Sequence, residues 1–251
     1  MTGRHDDGRH ELALVMPVYN EQDCIVEVIR SWRDMIFSLG IDFRIIVLND
    51  GSRDLTGERL RSFNGEPRIE IVEKTNSGHG PTILMGYIRA VTLADWVFQC
   101  DSDDEMSAVH FPNLWNSRDR YDAVFGYREG RIQGVGRRMI SVVSRITVRI
   151  LFGSGVYDVN TPYRLMRSEI LESILERIPG NTFAPNVIIS GVLTRAHLRI
   201  LNVPVPHKGR RTGKVTIVKW RLWSAAIRSF VETLRLRSAM AEVAGILRKD
   251  H

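Results

Sequence analysis

Short apolar runs alternate with stretches of helical periodicity through the first half of the chain. Each apolar run predicts a strand, and polar turn residues follow it. The predicted strands cover residues 12–16, 43–48, 69–72 and 96–100, and the predicted helices cover residues 21–39, 55–63 and 81–93. This alternation predicts an α/β fold in which helices flank a mostly parallel sheet.

The second half is less regular. It predicts strands at 123–126, 163–166 and 197–203, and helices at 137–152, 168–178 and 220–247. Because no internal repeat or Gly/Ser linker interrupts the chain, we expect one domain over residues 1–214. A basic amphipathic helical appendage is predicted for residues 215–251.

Polar side chains follow three of the predicted strands. In open α/β sheets ligands bind beyond the carboxyl ends of the strands, so Asn20, Asp50 and Asp101 are expected to converge there. Asp101 opens the segment Asp-Ser-Asp-Asp-Glu, which places four carboxylates in five positions. Crowded carboxylates repel each other, and oxygen ligands suit Mg²⁺ or Mn²⁺. A divalent-metal site is therefore predicted, with a solvated acidic turn as the alternative.

Composition limits the class of protein. A 43% hydrophobic content is that of a globular chain and not of a disordered one. Two cysteines give no disulfide framework, which favours a reducing compartment. The polar first eleven residues do not resemble a signal peptide, and no apolar run has the length of a membrane span. We therefore expect a cytoplasmic protein.

The positive charge is concentrated at the C-terminus. The chain has a formal net charge of +6, and residues 205–251 contain eleven Lys and Arg against three acidic residues. A basic tail on a nearly neutral body favours an anionic partner such as lipid or phosphate, although a solubilising helix would have the same composition.

Five segments in one order resemble glycosyltransferase family 2, which has the GT-A fold. Two are strand-to-turn segments, one around Pro17 and Tyr19 and one around Asp50. The other three are the cluster that begins at Asp101, the Gly-rich segment 76–80 and the segment 158–166. Together they span roughly residues 12–216, most of the chain.

Within that family the chain resembles the polyprenyl-phosphate sugar synthases of the dolichol-phosphate mannosyltransferase type. Segment 101–105 resembles their Asp-Ala-Asp-Leu-Gln, and segment 126–128 resembles their Gly-Ser-Arg. Arg137 and Ser141 match a phosphate-binding pair, and segment 210–213 resembles an Arg-x-x-Gly motif. The sequence departs from the pattern at Glu105, where Gln is usual, and at 215–216, where Ser-Lys is common.

The resemblance implies an inverting, metal-dependent hexosyltransferase that uses GDP-mannose or a UDP-hexose. Catalytic roles are expected for Asp101, Asp103, Arg128 and Arg210. Donor-binding roles are expected for Pro17, Tyr19, Glu21, Asp50, Gly80 and Asp101. The acceptor phosphate would be bound by Arg128, Arg137 and Ser141. Mg²⁺ or Mn²⁺ would be bound by Asp101, Asp103 and Glu105. The histidines outside the Gly-rich segment, including His207, are interpreted as surface or packing residues.

The predicted acceptor follows from the absence of carboxylates in one segment of the sequence. A hydroxyl acceptor needs a general base, and residues 179–203, where many family members place it, contain no Asp or Glu. A phosphate monoester is already anionic and needs cations instead. This favours a dolichyl-type polyprenyl phosphate. The alternative is a soluble hydroxyl acceptor, such as a natural-product or cell-wall precursor, with Asp158 or Asp104 as the base.

Residues 220–247 combine aromatic and aliphatic side chains with flanking arginines at helical spacing. Such a helix suits a membrane interface. We therefore expect peripheral attachment to the inner face of the membrane, while packing on the domain or a homodimer interface remains the alternative.

Two other classes of protein fit the sequence less well. A nucleotidyltransferase would have a Gly-rich loop after the first strand, where this chain has Pro17-Val18-Tyr19-Asn20. A non-catalytic nucleotide- or nucleic-acid-binding module would not need the acidic cluster. We therefore expect an enzyme with no nucleic-acid partner.

Overall fold

The computed structural model describes residues 8–129, 155–207 and 219–250, with side chains for residues 228–249 in the last segment. The strands are β1 (His10–Val18), β2 (Phe43–Asp50), β3 (Ile69–Lys74), β4 (Ala94–Gln99), β5 (Ala123–Glu129), β6 (Arg164–Arg167) and β7 (Ile200–Pro206). The helices are α1 (Ile25–Ser38), α2 (Thr56–Leu60), α3 (His79–Val91), α4 (Phe111–Trp115), α5 (Ser168–Leu175), α6 (Pro185–Arg195) and α7 (Lys219–Asp250).

The seven strands form one sheet in the order β3-β2-β1-β4-β6-β5-β7. Strands β3, β2, β1 and β4 are parallel neighbours, and β5 pairs with β7 in parallel. Only β6 runs against its neighbours β4 and β5. The carboxyl ends of β1, β2, β4, β5 and β7 therefore meet at one edge of the sheet, together with the amino end of β6. The predicted mostly parallel sheet is confirmed.

Alternating strand residues form a core on each face of the sheet. On one face Ala13 and Val15 of β1 lie under α3, α5, α6 and α7. On the other face Leu12 and Leu14 pack with α1 and α4, where Trp32 contacts Phe98. With both faces covered, polar residues are directed to the strand ends.

Helix α7 packs against the α/β domain along its C-terminal half. Met240, Val243, Ala244 and Leu247 are buried in the same core as α3 and α6. The appendage predicted for residues 215–251 is thus joined to the domain by an apolar contact. Among the described residues, no helix combines the length and the apolar character needed to span a lipid bilayer.

Candidate active site

A cavity of about 640 Å³ opens at the carboxyl ends of β1, β2 and β4. Its lining includes Pro17, Tyr19 and Glu21 from the end of β1 and the loop after it, and Asp50 from the end of β2. Asp101 and Asp103 from the loop after β4 also line it. Five of the six predicted donor-binding residues therefore line one cavity, as does Asp103. Their convergence follows from the parallel order of the strands.

The loops after β1 and β2 are tied together by Asn20. Its backbone N–H donates to Ser52 Oγ at 3.0 Å, and its side-chain Oδ1 accepts from the N–H of Arg53 at 2.8 Å. Asn20 has a φ of 55°, a left-handed conformation that asparagine tolerates. Asn20 therefore holds the rim of the cavity and is not among the residues that line it.

The buried carboxylate of Asp50 anchors the loop between β3 and α3. It accepts hydrogen bonds from the backbone N–H groups of Ser77 at 2.8 Å and Gly78 at 3.0 Å, and from the ammonium group of Lys74. Burial alone would raise the pKa of Asp50, but the bonds from Lys74 and Ser77 outweigh it, so that pKa lies below 3.8. Asp50 thus shapes the Gly-rich loop. Its predicted role in binding the donor stays a prediction.

Two glycines in that loop are required by geometry. Gly78 has a φ of 91°, which L side chains rarely adopt. Gly80 packs against the chain at the start of α6, where an added Cβ would lie 2.4 Å from the carbonyl oxygen of Thr182 and 2.3 Å from that of Phe183. Gly80 lines a neighbouring cavity instead of the one containing Asp50. Its predicted donor contact stays a prediction.

The acidic loop after β4 places carboxylate oxygens beside the cavity. Oδ1 of Asp101 is buried and has no hydrogen-bond partner within residues 8–129, 155–207 and 219–250. Oδ1 of Asp103 accepts from the backbone N–H of Glu105 at 3.2 Å. Asp104 has a φ of 53°, which turns the chain sharply between Asp103 and Glu105. A buried carboxylate oxygen without a partner is costly unless a ligand or cation satisfies it.

Two cysteines lie beside the acidic loop and are protonated thiols. Burial, followed by the charge of nearby Glu21, raises the pKa of Cys24 to about 12. Burial and the charges of Asp101 and Asp103 raise the pKa of Cys100 well above its ordinary value. Thiolate chemistry is therefore not available at this site near neutral pH.

Glu105 and His207 form a pair that the sequence did not predict. Oε2 of Glu105 lies 2.8 Å from Nε2 of His207, whose side chain is only 8% exposed. His207 is therefore not a surface residue, and it packs against the acidic loop. It reaches the acidic loop because β7 ends at the same edge of the sheet as β4.

The three-carboxylate metal set predicted from Asp101, Asp103 and Glu105 does not form on its own. In the described part of the chain, no three His, Cys, Asp or Glu side chains are arranged to hold a metal ion. Asp101 and Asp103 share the cavity, while Glu105 is engaged with His207. A bound cation would therefore need further ligands, and a diphosphate can supply them.

Arg128 lies at the carboxyl end of β5, where it pairs with Asp158. Nη1 of Arg128 is 3.2 Å from Oδ2 of Asp158, and Nε of Arg128 is buried without a partner among the described residues. Asp158 reaches this edge because the antiparallel β6 begins there. The other expected acceptor and catalytic residues, Arg137, Ser141 and Arg210, lie outside the described residues.

A buried polar network that was not predicted from the sequence connects β4, α3, β6 and α6. Gln99 Oε1 accepts from Asn186 Nδ2 at 3.0 Å, and the Tyr87 hydroxyl donates to Asn186 Oδ1 at 3.1 Å. The fully buried Arg164 donates to the backbone carbonyls of Val159 and Asn186 at 3.0 and 3.2 Å. These bonds fix the segment after Asp158 relative to the first turn of α6.

The family model for glycosyl transferase family 2 matches residues 13–175. Among curated proteins, the chain is similar to the undecaprenyl-phosphate 4-deoxy-4-formamido-L-arabinose transferase of Edwardsiella ictaluri, with 28% identity over 207 residues that cover 81% of this chain. It is also similar to the transferase of the same name from an Enterobacter species, with 27% identity over 82% of this chain. The matched region spans 62% of the length of each relative.

Solved structures share the fold. A glucosyl-3-phosphoglycerate synthase from Mycobacterium tuberculosis in complex with Mn²⁺ and uridine-diphosphate-glucose matches with a TM-score of 0.67 and 20% identity, over 91% of this chain and 79% of that one. The same synthase with phosphoglyceric acid also has a TM-score of 0.67, with 18% identity over 90% of this chain and 79% of that one. The expected GT-A fold is confirmed.

Proposed function

The chain belongs to glycosyl transferase family 2, and we propose that it transfers a sugar from a nucleotide-sugar to a polyprenyl phosphate. The observation that carries this proposal is the convergence of Asp50, Asp101 and Asp103 on one cavity, with Arg128 at the same edge of the sheet. The names of the curated relatives support an undecaprenyl-phosphate acceptor.

The cavity fits the nucleotide and diphosphate of the donor. Pro17, Tyr19 and Glu21 line the cavity and would contact the nucleoside, and the Gly-rich loop held by Asp50 also contributes to its lining. The donor is UDP- or GDP-linked, and the UDP-glucose named for a structure of the same fold is the reason to test UDP first.

Asp101 and Asp103 fit a divalent cation bound jointly with a diphosphate. The unsatisfied Oδ1 of Asp101 offers one ligand, and Mg²⁺ commonly uses one or two carboxylates together with substrate phosphates. Mn²⁺ or Mg²⁺ held there would neutralise the charge that develops on the leaving diphosphate. The Glu105–His207 pair lies beside these two carboxylates and would fix the loop that carries them.

Arg128 is proposed to bind the acceptor phosphate. Its buried Nε can donate to an anion while Asp158 orients the guanidinium group through Nη1. Residues 179–203 contain no carboxylate, so this segment, including the first turn of α6, supplies no general base. A phosphate oxygen that is already anionic can attack the sugar without one. In a single in-line displacement, this oxygen bonds to the anomeric carbon as the nucleoside diphosphate leaves with inversion.

One observation favours a second candidate, a soluble hydroxyl acceptor. Asp158 is 24% exposed and lies beside Arg128, so its carboxylate could remove a proton from a hydroxyl group. The two candidates differ in what Asp158 does. If Asp158 only positions Arg128, the variant Asp158→Asn should keep part of the transfer activity. If Asp158 is the general base, the same variant should lose it.

We also propose that the enzyme works at a membrane surface. The exposed apolar residues Phe230, Val231 and Leu234 lie on α7 with the basic residues Arg228, Arg235 and Arg237. This composition suits the inner face of a membrane that contains anionic lipid. A homodimer through the same surface is the alternative, and vesicle flotation with light scattering distinguishes the two.

A thermal-shift screen followed by a transfer assay tests the proposal. Nucleotide-sugars that bind should raise the melting temperature more with Mn²⁺ than without it. The best donor is then incubated with undecaprenyl phosphate or with a soluble phosphate ester. Sugar in the lipid extract supports the proposal, whereas donor binding that ignores Mn²⁺ and gives no lipid-linked sugar contradicts it.

A further inference from the structure

A second, larger cavity of about 1060 Å³ adjoins the candidate active site, and we name it the α3–α7 groove. Its walls come from α3, from residues 180–186 and from the exposed side of α7 at Arg228. It shares Gly78 and His79 with the smaller cavity, so the two spaces meet at the Gly-rich loop. The groove therefore extends the active site towards α7.

The groove has an apolar lining that continues to the protein surface. Ile83 and Leu84 are buried in its wall, while Met85, Ile88 and Phe183 are 44%, 53% and 36% exposed. These last three side chains are among the large apolar residues that the fold leaves in contact with water. Contiguous exposed apolar surface beside an active site marks a ligand groove or an interaction site.

The charge of the groove is opposite to that of the donor cavity. Arg228 lines it, and Lys74, which also lines it, has its ammonium paired with Asp50. No carboxylate is among the described lining residues. The donor cavity, in contrast, is lined by Glu21, Asp50, Asp101 and Asp103. An apolar space with Arg228 at its border and no acidic residue in its described lining matches an anion that carries a hydrocarbon chain.

The outer wall of the groove is held in place by α7. Both carboxylate oxygens of Glu232 accept from the N–H of Phe183, at 2.8 and 3.0 Å, and one of them also accepts from the N–H of Ala184 at 3.1 Å. The guanidinium of Arg228 lies 4.9 Å from the centre of the Phe183 ring. These contacts restrain the wall, which lowers the entropic cost of ordering it when a ligand binds.

One lining residue of the groove is bonded to the candidate phosphate site. Asn160 lines the groove, and the N–H of Asn160 donates to Oδ1 of Asp158 at 3.2 Å. The other oxygen of Asp158 holds Arg128. A molecule with its phosphate at Arg128 can therefore place its chain in the groove.

We propose that the α3–α7 groove binds the first isoprene units of the lipid acceptor, a subsite that rests on the proposed function. The chain would run from Arg128 past Asn160 and leave between Ile88 and Phe183, where the exposed apolar residues of α7 meet the membrane. Specificity for a lipid over a soluble phosphate then comes from the apolar walls of α3.

Chain-length discrimination tests the proposal. Farnesyl phosphate, with three isoprene units, and isopentenyl phosphate, with one, are titrated by calorimetry in the presence of UDP and Mn²⁺. The variant Met85→Gln/Ile88→Gln changes only exposed side chains of α3 and should fold. The matched control is Phe37→Gln on α1, which is 62% exposed and lies on the other face of the sheet.

Wild type and the Phe37→Gln control should bind farnesyl phosphate at least about tenfold more tightly than isopentenyl phosphate. In the double variant this ratio should fall to about two, with the affinity for UDP unchanged. An unchanged ratio in the double variant overturns the groove proposal. Conversion of a dimer to a monomer by the double variant in light scattering would also overturn the proposal, since the groove would then be an interface between copies of this chain.

Failure of the proposed function gives a different result. If neither ester binds and undecaprenyl phosphate accepts no sugar, the lipid-phosphate acceptor itself is wrong. If both esters bind wild type equally and sugar is transferred to undecaprenyl phosphate, the acceptor proposal stands and the groove proposal fails.

Discussion

The carboxylate of Asp50 and the ammonium of Lys74 form a buried ion pair at the ends of neighbouring strands β2 and β3. The same carboxylate also receives the backbone N–H groups of Ser77 and Gly78. One side chain thus links the floor of the donor cavity to the loop that leads into α3. Loss of its charge should therefore affect both stability and donor binding.

Asp50→Asn should lower the free energy of unfolding at pH 7 by about 1–3 kcal/mol, because Lys74 is left buried without its charged partner. The folded pKa of Asp50 lies below its ordinary value of 3.8, so its ionised form stabilises the fold above that pH. The contribution is lost as the pH falls through the folded pKa. Urea unfolding at pH 7 and pH 3 should show the difference between wild type and variant shrinking at pH 3. A difference that grows on acidification would contradict this account.

Asp101→Asn and Asp103→Asn should each weaken Mn²⁺-dependent binding of the nucleotide-sugar by roughly tenfold to a hundredfold or more, the loss typical of weakened metal sites. The reason is that both side chains line the cavity and Asp101 has a buried oxygen without a partner among the described residues. Isothermal titration with UDP, with and without Mn²⁺, measures the effect. Asp119→Asn, at a carboxylate that is 79% exposed in the pair with Arg118, is the matched control. Equal responses of the three variants would remove Asp101 and Asp103 from the donor site.

Arg128→Ala should raise the KM for the lipid phosphate by about tenfold or more and leave hydrolysis of the donor intact. Arg128→Lys should recover only part of the loss. The single ammonium group of lysine cannot occupy both the Nη1 position that bonds to Asp158 and the Nε position that would donate to the phosphate. Steady-state kinetics with undecaprenyl phosphate at saturating donor separate the two variants. Wild-type KM values in both would place the acceptor phosphate elsewhere.

Glu105→Gln and His207→Ala should have effects that are not additive, since the two side chains are 2.8 Å apart. A double-mutant cycle on the free energy of unfolding should give a coupling of about 0.5–3 kcal/mol. The Mn²⁺ concentration needed for half-maximal activity is measured in parallel. A rise in that concentration for Glu105→Gln would make Glu105 a ligand as well as a partner of His207. Zero coupling would mean that the pair does not form in solution.

Gly80→Ala should destabilise the protein by about 1–3 kcal/mol, because the added Cβ would meet the carbonyl oxygens of Thr182 and Phe183. Gly65→Ala is no useful control since Gly65 has a positive φ. Gly180→Ala has open space around its Cβ position and an unrestricted φ, so it should change the free energy of unfolding by much less. Urea denaturation compares the two, and equal losses would contradict the close packing at Gly80.

The strand-end residues could be predicted from sequence because topology alone brings them together. Asp50 and Asp101 follow apolar runs, and parallel strands must end at one edge of the sheet. What the sequence left undetermined was the direction of each side chain. Asp50 accepts two hydrogen bonds from the Gly-rich loop and one from Lys74 at the end of β3, which no spacing rule predicts.

The second half of the chain was harder to predict, for identifiable reasons. Helix α6 is buried on all sides except at its end, so it lacks the polar face that produces helical periodicity. Strand β7 continues through Pro204 and Pro206 because it lies at the edge of the sheet, where a missing N–H is tolerated. His207 follows that strand, and its contact with Glu105 joins residues 102 positions apart.

The most direct test of the central claim is transfer of radiolabelled sugar from a nucleotide-sugar to undecaprenyl phosphate in vesicles, with Mn²⁺ present. The account predicts label in the organic extract, with release of an equal amount of nucleoside diphosphate. This transfer should be lost in Asp103→Asn and kept in Asp119→Asn. Nucleoside diphosphate released at the same rate with and without undecaprenyl phosphate, and no label in the extract, would contradict it.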